Sequence, residues 1–576
     1  MRARCYTWPM RSLSAKHWLL VLMSALLQIF SFPTDGPVPV WRAAFSWICL
    51  VPFLVALVMK DRDGAFLGAR AGALLGYGCG VLWYFGNCWW IYQTMYLYGG
   101  MAKPVALGIL ILFSLYLGLY HALFGWIVVL LHRSRLGLTG ALFFVPFAWV
   151  AVELARARIT YFPWDLLGYA RVDNLALDAI APLAGVMGIS FVLAVANSIV
   201  AAAILSRGRT RIGLGLLAML LAGCFELYGL FGGHGTEPSW EGQRPTATLM
   251  QENLSVGTQA NLGSRLTIEE ELRIFSGASA APDRPDHGKT CADCAPAIVV
   301  WPEAPSHFQS DDPRFREAMK LLAIKANAPV IAGSLGVDRD PAAPRGYRLY
   351  DSAAMFDASG TYQGRYDKIH LVPWGEYIPF KSFFSFAEKL TEGAGDMDRG
   401  SRRTVFRTGG HAYGVFVCYE SIFGDEVRQF VKNGADVLVN ISDDGWYGDT
   451  GAPWQHLNMA RMRAIENRRW IIRSTNTGVT TTIDPLGRYR ETERHRQVAY
   501  QMPFEYASGQ TFYTRHGDWF AWLCAAVTVC AVGFSWPRGR LTQNPRSVRY
   551  GHLRSATFAA KSKDSAGNDR LGKAIN

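Results

Sequence analysis

Two textures of apolar patterning divide the chain. Long apolar runs recur near 17–32, 41–59, 70–95, 104–131, 137–153, 177–205 and 212–232, and one more follows at 518–536. A membrane-crossing helix needs about 20 mainly apolar residues to traverse about 30 Å of hydrocarbon. The pattern therefore predicts seven spans, a long gap and an eighth span. Within the gap, from about 240 to 515, the apolar runs shorten and turn residues separate them. Thr246–Met250, Ala297–Trp301, Val330–Gly333, Gly414–Val417, Val437–Ile441 and Trp470–Arg473 read as strands buried on both faces. Helical spacing runs over Asp312–Ala326 and Gln455–Asn467. Strands alternating with helices predict an α/β layered domain.

Composition agrees with a membrane part joined to a water-facing part, since half of the 576 residues are apolar while 18% are charged. The net charge of +12 concentrates at the ends and in short loops between apolar runs, which argues for topology signals rather than nucleic-acid binding. Arg2, Arg4, Arg11 and Lys16 precede the first run as in a signal peptide. No small-residue cleavage site follows, so the run reads as an uncleaved anchor. Lys60, Arg62 and Arg70, then Arg133 and Arg135, then Arg207, Arg209 and Arg211 fall on the side of the amino terminus. The loop 33–40 carries no Lys or Arg, and 96–103 only Lys103. By the positive-inside rule the 240–515 stretch is extracytoplasmic. The expected domains are a basic cytoplasmic 1–16, a seven-span 17–236, a layered 240–512, a final span 515–536, and a basic, disordered cytoplasmic tail 537–576.

Of ten cysteines, seven lie in or beside apolar segments, where a buried thiol is the ordinary reading. Cys291, Cys294 and Cys418 remain for chemistry. Cys291 and Cys294 suit a local disulfide in an oxidising compartment better than a metal site, which would want a second ligand pair. Cys418 ends the run Gly-Val-Phe-Val-Cys-Tyr-Glu, where a sharp turn after a strand projects a sulfur into a cleft. Alone it would more often be core. Two other strand ends carry ionisable groups. Glu303 stands between Pro302 and Pro305, a rigid turn that fits a general base. Lys368, eight residues before Glu376, can stabilise an oxyanion and depress the thiol pKa.

In that chain order the three segments resemble the nitrilase, or carbon–nitrogen hydrolase, superfamily. Seven spans before such a domain and one after it are similar to the apolipoprotein N-acyltransferases. Trp-Pro-Glu (301–303), the 367–379 segment, Cys-Tyr-Glu (418–420), and Asp-Gly-Trp-Tyr-Gly-Asp (444–449) followed by Gln455-His456 and 459–464 carry the likeness. It implies an extracytoplasmic α-β-β-α sandwich on a 7 + 1 membrane domain. Glu303 is then general base and acid, Lys368 the oxyanion stabiliser and Cys418 the nucleophile, with Glu376, Tyr419 and Glu420 supporting the pocket. Trp446 belongs to a mobile arm, and Trp164 in Phe-Pro-Trp lines the lipid entrance or, equally, an interfacial belt. Asp443, Trp374 and Glu252 depart from the family's usual asparagine, phenylalanine and glycine.

The resemblance implies acyl transfer from a membrane phospholipid to a diacylglyceryl apolipoprotein at the periplasmic face of the bacterial inner membrane. No cofactor, metal or nucleic acid is expected. Trp446–Tyr447 and Ile378–Phe386 are candidate apolar flaps that keep water from a thioester. Two alternatives remain: a membrane-tethered amidase of small C–N bonds, and a transporter or assembly platform with a degenerate outer domain.

Overall fold

The computed structural model describes residues 13–231, 244–257, 266–284, 295–303, 308–377 and 396–535. Cys291, Cys294, Pro305, Ile378–Phe386 and the basic tail lie outside the described residues.

Eleven strands are described: β1 (Thr246–Gln251), β2 (Ile298–Val300), β3 (Val330–Arg339), β4 (Tyr347–Phe356), β5 (Tyr362–Asp367), β6 (Val405–Thr408), β7 (His411–Val417), β8 (Val437–Ser442), β9 (Ile471–Thr475), β10 (Thr481–Ile483) and β11 (Val498–Pro503). They form a six-stranded sheet, β11-β1-β2-β3-β4-β5, and a five-stranded sheet, β10-β9-β8-β7-β6. β1, β2 and β3 run parallel, as do β7, β8 and β9, while the outer pairs are antiparallel. All six expected strands are present, and the expected helices are Pro313–Ala326, with Asp312 as N-cap, and Ala452–Asn467.

Strand alternation sorts the side chains into two cores. From the first sheet, Leu249, Val300, Ile331 and Met355 join the core shared with the second sheet, whereas Met250, Val299, Ala332 and Phe356 pack on helices Ile268–Ala280 and Pro313–Ala326. Helices Gly424–Lys432 and Ala452–Asn467 cover the second sheet. The result is a four-layer α-β-β-α sandwich.

Five helical stretches are long and apolar enough to cross a membrane: Val40–Val58, Lys103–Arg133, Gly137–Thr160, Ala181–Leu205 and Gly208–Gly229. Ala15–Phe30 and Trp519–Ser535 are apolar but shorter. The remaining expected span is the 19-residue helix Ala69–Asn87. It packs so tightly on Lys103–Arg133 that a Cβ on Gly76 would lie 2.1 Å from the His121 carbonyl oxygen, the close approach that small residues permit in helical membrane proteins. The expected 177–205 run is broken at Gly185, where φ is +67°. The freed Val186 N–H donates to Glu466 Oε1 of the sandwich at 3.0 Å. Cys49, Cys79, Cys88 and Cys524 are buried as expected, but Cys224 and Cys530 are exposed, because their helices pack only one face on the body.

One apolar core runs through both parts. Tyr419, Phe423, Met459 and Ile465 of the sandwich belong to the same cluster as Phe162, Trp164 and Met187 of the helical part. Ionic links reinforce the join: Arg158 pairs with Asp425 at 2.9 Å and with Asp518 at 2.6 Å.

Candidate active site

Glu303, Lys368, Cys418 and Asp443 each follow the last residue of a strand or stand within three residues of it, at the ends of β2, β5, β7 and β8. Open α/β sheets expose backbone and side chains for chemistry at those carboxyl ends. Cys418 has φ +48°, a left-handed conformation that costs a non-glycine residue of order 1–3 kcal/mol and must be held by its surroundings. A 3₁₀ turn, Cys418–Ile422, follows directly.

Lys368 has no exposed side-chain area, and its Nζ donates to Glu303 Oε1 at 2.8 Å, Asp351 Oδ2 at 3.0 Å and Glu376 Oε1 at 2.5 Å. Burial alone would favour the neutral amine, but Glu303, Glu376 and Asp351 overcome it and keep the ammonium charged. The three carboxylates approach within 4.8 Å of one another, a spacing that suits a metal ion, yet the ammonium already donates to all three. An ammonium has three N–H bonds. Lys368 can therefore donate to an oxyanion only when one of these contacts breaks. Burial pushes the Asp351 and Glu376 carboxyls up despite the lysine, so the cluster carries a proton more readily than free carboxylates would.

The other Glu303 oxygen, Oε2, accepts the Asp443 backbone N–H at 2.7 Å. Asp443 is buried, and its Oδ1 accepts from Asn476 at 2.9 Å and from the Gly445 N–H at 3.0 Å. Burial raises its carboxyl pKa to about 7.

Cys418 is 6% exposed. Burial and the Glu303 charge push its pKa well up, and Lys368 and Ser442 only partly offset them. Lys368 thus lowers the pKa as expected but is outweighed, and the group rests as a thiol. Glu420 ties the segments together. It accepts from the Tyr366 hydroxyl at 2.8 Å, from the Ile369 and His370 N–H groups at 2.7 and 3.1 Å, and from the Val417 N–H at 2.8 Å. The loop bearing Lys368 and the strand bearing Cys418 thus share one carboxylate.

Tyr419 donates from its hydroxyl to the Tyr161 carbonyl of the helical part at 3.2 Å. Trp164 is 1% exposed, donates from Nε1 to Gln455 at 2.8 Å and stacks on His456, a buried place rather than an exposed belt. Trp446 is 38% exposed, and its carbonyl accepts from the Thr94 hydroxyl at 2.9 Å, while Tyr447 is buried against Trp90 and Trp164. Sequence reasoning missed Asp351, Asp444 and Arg473. An arginine inside the apolar strand β9 was the available signal, since a buried guanidinium demands a carboxylate partner.

The sandwich is of the carbon–nitrogen hydrolase class: residues 289–494 match the family model described as carbon-nitrogen hydrolase. Residues 24–199 match the apolipoprotein N-acyltransferase N-terminal domain. The chain is 33% identical over 531 residues to the apolipoprotein N-acyltransferase of Geobacter metallireducens, covering 90% of this chain and 95% of that one. It is 31% identical over 536 residues to the protein of the same name from Methylococcus capsulatus, covering 91% and 97%. Nit3 of Saccharomyces cerevisiae, a solved member of the nitrilase superfamily, covers 46% of this chain and 91% of its own, with 18% identity and a TM-score of 0.32. This chain belongs to the apolipoprotein N-acyltransferase family.

Proposed function

We propose that the protein moves an acyl chain from a membrane phospholipid, through a thioester on Cys418, to the α-amino group of the N-terminal S-diacylglyceryl cysteine of an apolipoprotein. The observation that carries this reading is the buried Lys368–Glu303 contact at 2.8 Å, whose charges both act on the Cys418 thiol. In the first half-reaction Glu303 takes the thiol proton and Sγ attacks an ester carbonyl of the phospholipid. The tetrahedral oxyanion is stabilised by a backbone N–H near Cys418 and by Lys368, which exchanges one carboxylate contact for it. Glu303 returns the proton to the leaving alkoxide, giving a lysophospholipid and a thioester. In the second half Glu303 takes a proton from the attacking amine, the C–S bond breaks, and the thiol is restored. Glu376, Tyr419 and Glu420 hold the pocket.

In this reading the chain sits in the bacterial inner membrane with seven spans before the catalytic domain and one after it. The segments are 1–16, 17–236, 240–512, 515–536 and 537–576, with the catalytic domain in the periplasm. Trp446 stands at the rim and Trp164 in the wall of the route from the bilayer. A hydrolytic amidase is disfavoured, because the relatives named as acyltransferases align over nearly the whole chain, helical part included.

The test is intact-mass analysis after incubation with defined phospholipid. The reading expects a hydroxylamine-labile acyl adduct on the wild type and none on Cys418→Ala. Absence of any adduct on the wild type under all lipid conditions rejects it.

A further inference from the structure

Behind Cys418 runs a line of buried polar groups that the acyl-transfer steps above do not use. Arg473 Nη2 donates to Asp444 Oδ2 at 2.6 Å, and Asp444 Oδ1 lies 2.8 Å from His456 Nδ1. His456 Nε2 lies 2.6 Å from Ser421 Oγ and 3.0 Å from the Cys418 carbonyl oxygen. Arg473, Asp444 and His456 have no exposed side-chain area. A charged pair and an imidazole withdrawn this completely from water are tolerated only when the charges are paired and hydrogen-bonded, as they are here, although Arg473 Nε itself has no partner.

The engagement has a direction. Burial opposes ionisation of Asp444, but Arg473 and His456 more than offset it and keep a carboxylate, which can only accept. The His456 Nδ1–H therefore donates to Asp444, and Nε2 faces the turn after β7. Burial lowers the His456 pKa, so the ring is neutral and its Nε2 accepts the Ser421 hydroxyl, which ties the imidazole to the turn Cys418–Ile422, with the Cys418 carbonyl 3.0 Å from the same nitrogen. The ring cannot swing away, because Trp164 stacks on it at 5.9 Å and 11° and Tyr447 meets it edge-on at 5.7 Å.

What is held is the turn that carries the Cys418–Tyr419 peptide plane. A trans peptide carries its C=O and its N–H on opposite sides, so a Cys418 carbonyl turned towards His456 sends the Tyr419 N–H the other way. Cys418 is in a left-handed conformation that an L-residue leaves readily unless restrained.

We propose that His456, oriented by Asp444 and Arg473, is a positioning residue that fixes the Cys418–Tyr419 peptide, aiming the Cys418 sulfur and presenting the Tyr419 N–H to the oxyanion. The proposal rests on the reading of Cys418 as the nucleophile and adds a group that touches neither substrate. Trp164 gives the helical part a hand in it, because the ring that backs His456 comes from outside the sandwich.

The test uses the full chain in lipid nanodiscs of defined phospholipid and measures the single-turnover rate of Cys418 acylation by intact mass. The variants are His456→Met, which fills the space without a hydrogen bond, His456→Gln, which offers an amide to the same atoms, and Ser421→Ala. His456→Met should lose about 100-fold in the acylation rate constant, as displacement of a reacting group by about 1 Å does. Its phospholipid half-saturation should stay within twofold, although its melting temperature falls, because Asp444 and Ser421 each lose a buried partner. His456→Gln should recover at least tenfold of the loss, and Ser421→Ala should fall between. A Met variant within threefold of wild type overturns the proposal. So does a Gln variant no faster than Met, or a half-saturation that rises in step with the lost rate. Should His456→Met not fold, Ser421→Ala decides: an unchanged acylation rate overturns the proposal, and a slowed one at unchanged half-saturation supports it. A wild type that forms no thioester rejects the role of Cys418 itself, a different outcome from a loss confined to the variants.

Discussion

Replacing Lys368 by methionine removes the one ammonium shared by Glu303, Asp351 and Glu376 and leaves a side chain of similar length. Each contact is charge-assisted and the ammonium is fully buried, and breaking one partner of a buried ionic cluster costs about 3–5 kcal/mol. The variant can relieve this by binding a proton to one more carboxyl. A carboxyl with an ordinary pKa near 4 pays about 1.4 kcal/mol per pH unit to stay protonated above that value. Between pH 5 and pH 8 the penalty for the extra proton therefore grows by about 4 kcal/mol. The sign follows from linkage: a carboxyl raised in the folded state contributes stability that is complete below its unfolded pKa and disappears as pH rises through its folded pKa. Melting of wild type and Lys368→Met in detergent should differ least near pH 5. The gap should widen by roughly 8 °C by pH 8, at about 2 °C per kcal/mol for a domain of this size. A gap that stays constant with pH, or shrinks as pH rises, refutes the three-carboxylate account of Lys368.

Glu420→Gln keeps one acceptor oxygen but turns an amide N–H₂ towards the Val417 N–H, so one buried donor is orphaned and the charge is lost; about 3 kcal/mol of destabilisation is expected in a melt, with a slower acylation step. Asp443, raised to about 7 by burial, contributes stability that falls as pH rises from about 4 to about 7 and is flat above; Asp443→Asn should abolish that slope in Tm against pH. Glu226→Leu removes the carboxylate that pairs with buried Arg171 and accepts from Trp47 Nε1 at 2.6 Å, costing about 3 kcal/mol. Adding Arg171→Leu should restore most of that loss in the melting temperature, since the orphaned guanidinium is gone as well.

The strands found from sequence were those written as near-continuous apolar runs, such as Val437–Ile441. β4, β5, β6, β10 and β11 were not found. Tyr347–Leu349 of the interior strand β4 and Tyr362–Arg365 of the edge strand β5 are half-exposed, and the edge strands β6, β10 and β11 are short and mix apolar residues with Thr, Arg and Gln much as loops do. The helix Gly424–Lys432 was missed for its length, only nine residues. Glu303, Lys368 and Cys418 were legible because each stands in a distinctive flank just past a strand. Asp351 was not, since it lies within β4 and reaches the site only through antiparallel pairing of β3, β4 and β5. At Cys418 the sequence shows the lysine that lowers its pKa but not the burial that outweighs it.

The join between the two parts bears on the fate of a thioester. A thioester in a water-filled cleft hydrolyses, whereas one sealed from water waits for a better nucleophile. Glu303 and Cys418 are 8% and 6% exposed and Lys368 is wholly buried. Part of that seal comes from outside the sandwich: Trp90 and Trp164 close on Tyr447, and Tyr161 receives the Tyr419 hydroxyl. A sandwich deprived of these contacts would keep its strands and its strand-end residues but open the Cys418 side to solvent. Weakening the join should therefore shift partitioning from amine to water once the acyl-enzyme has formed, whatever it does to the acylation step. Trp164→Ala is the sharpest such change, because it removes one ring from the wall and one hydrogen bond from Gln455. In a preformed acyl-enzyme, hydrolysis should rise by about tenfold or more relative to transfer to a dipalmitoyl-cysteinyl peptide. Unchanged partitioning in a variant that still acylates would mean that the sandwich excludes water by itself.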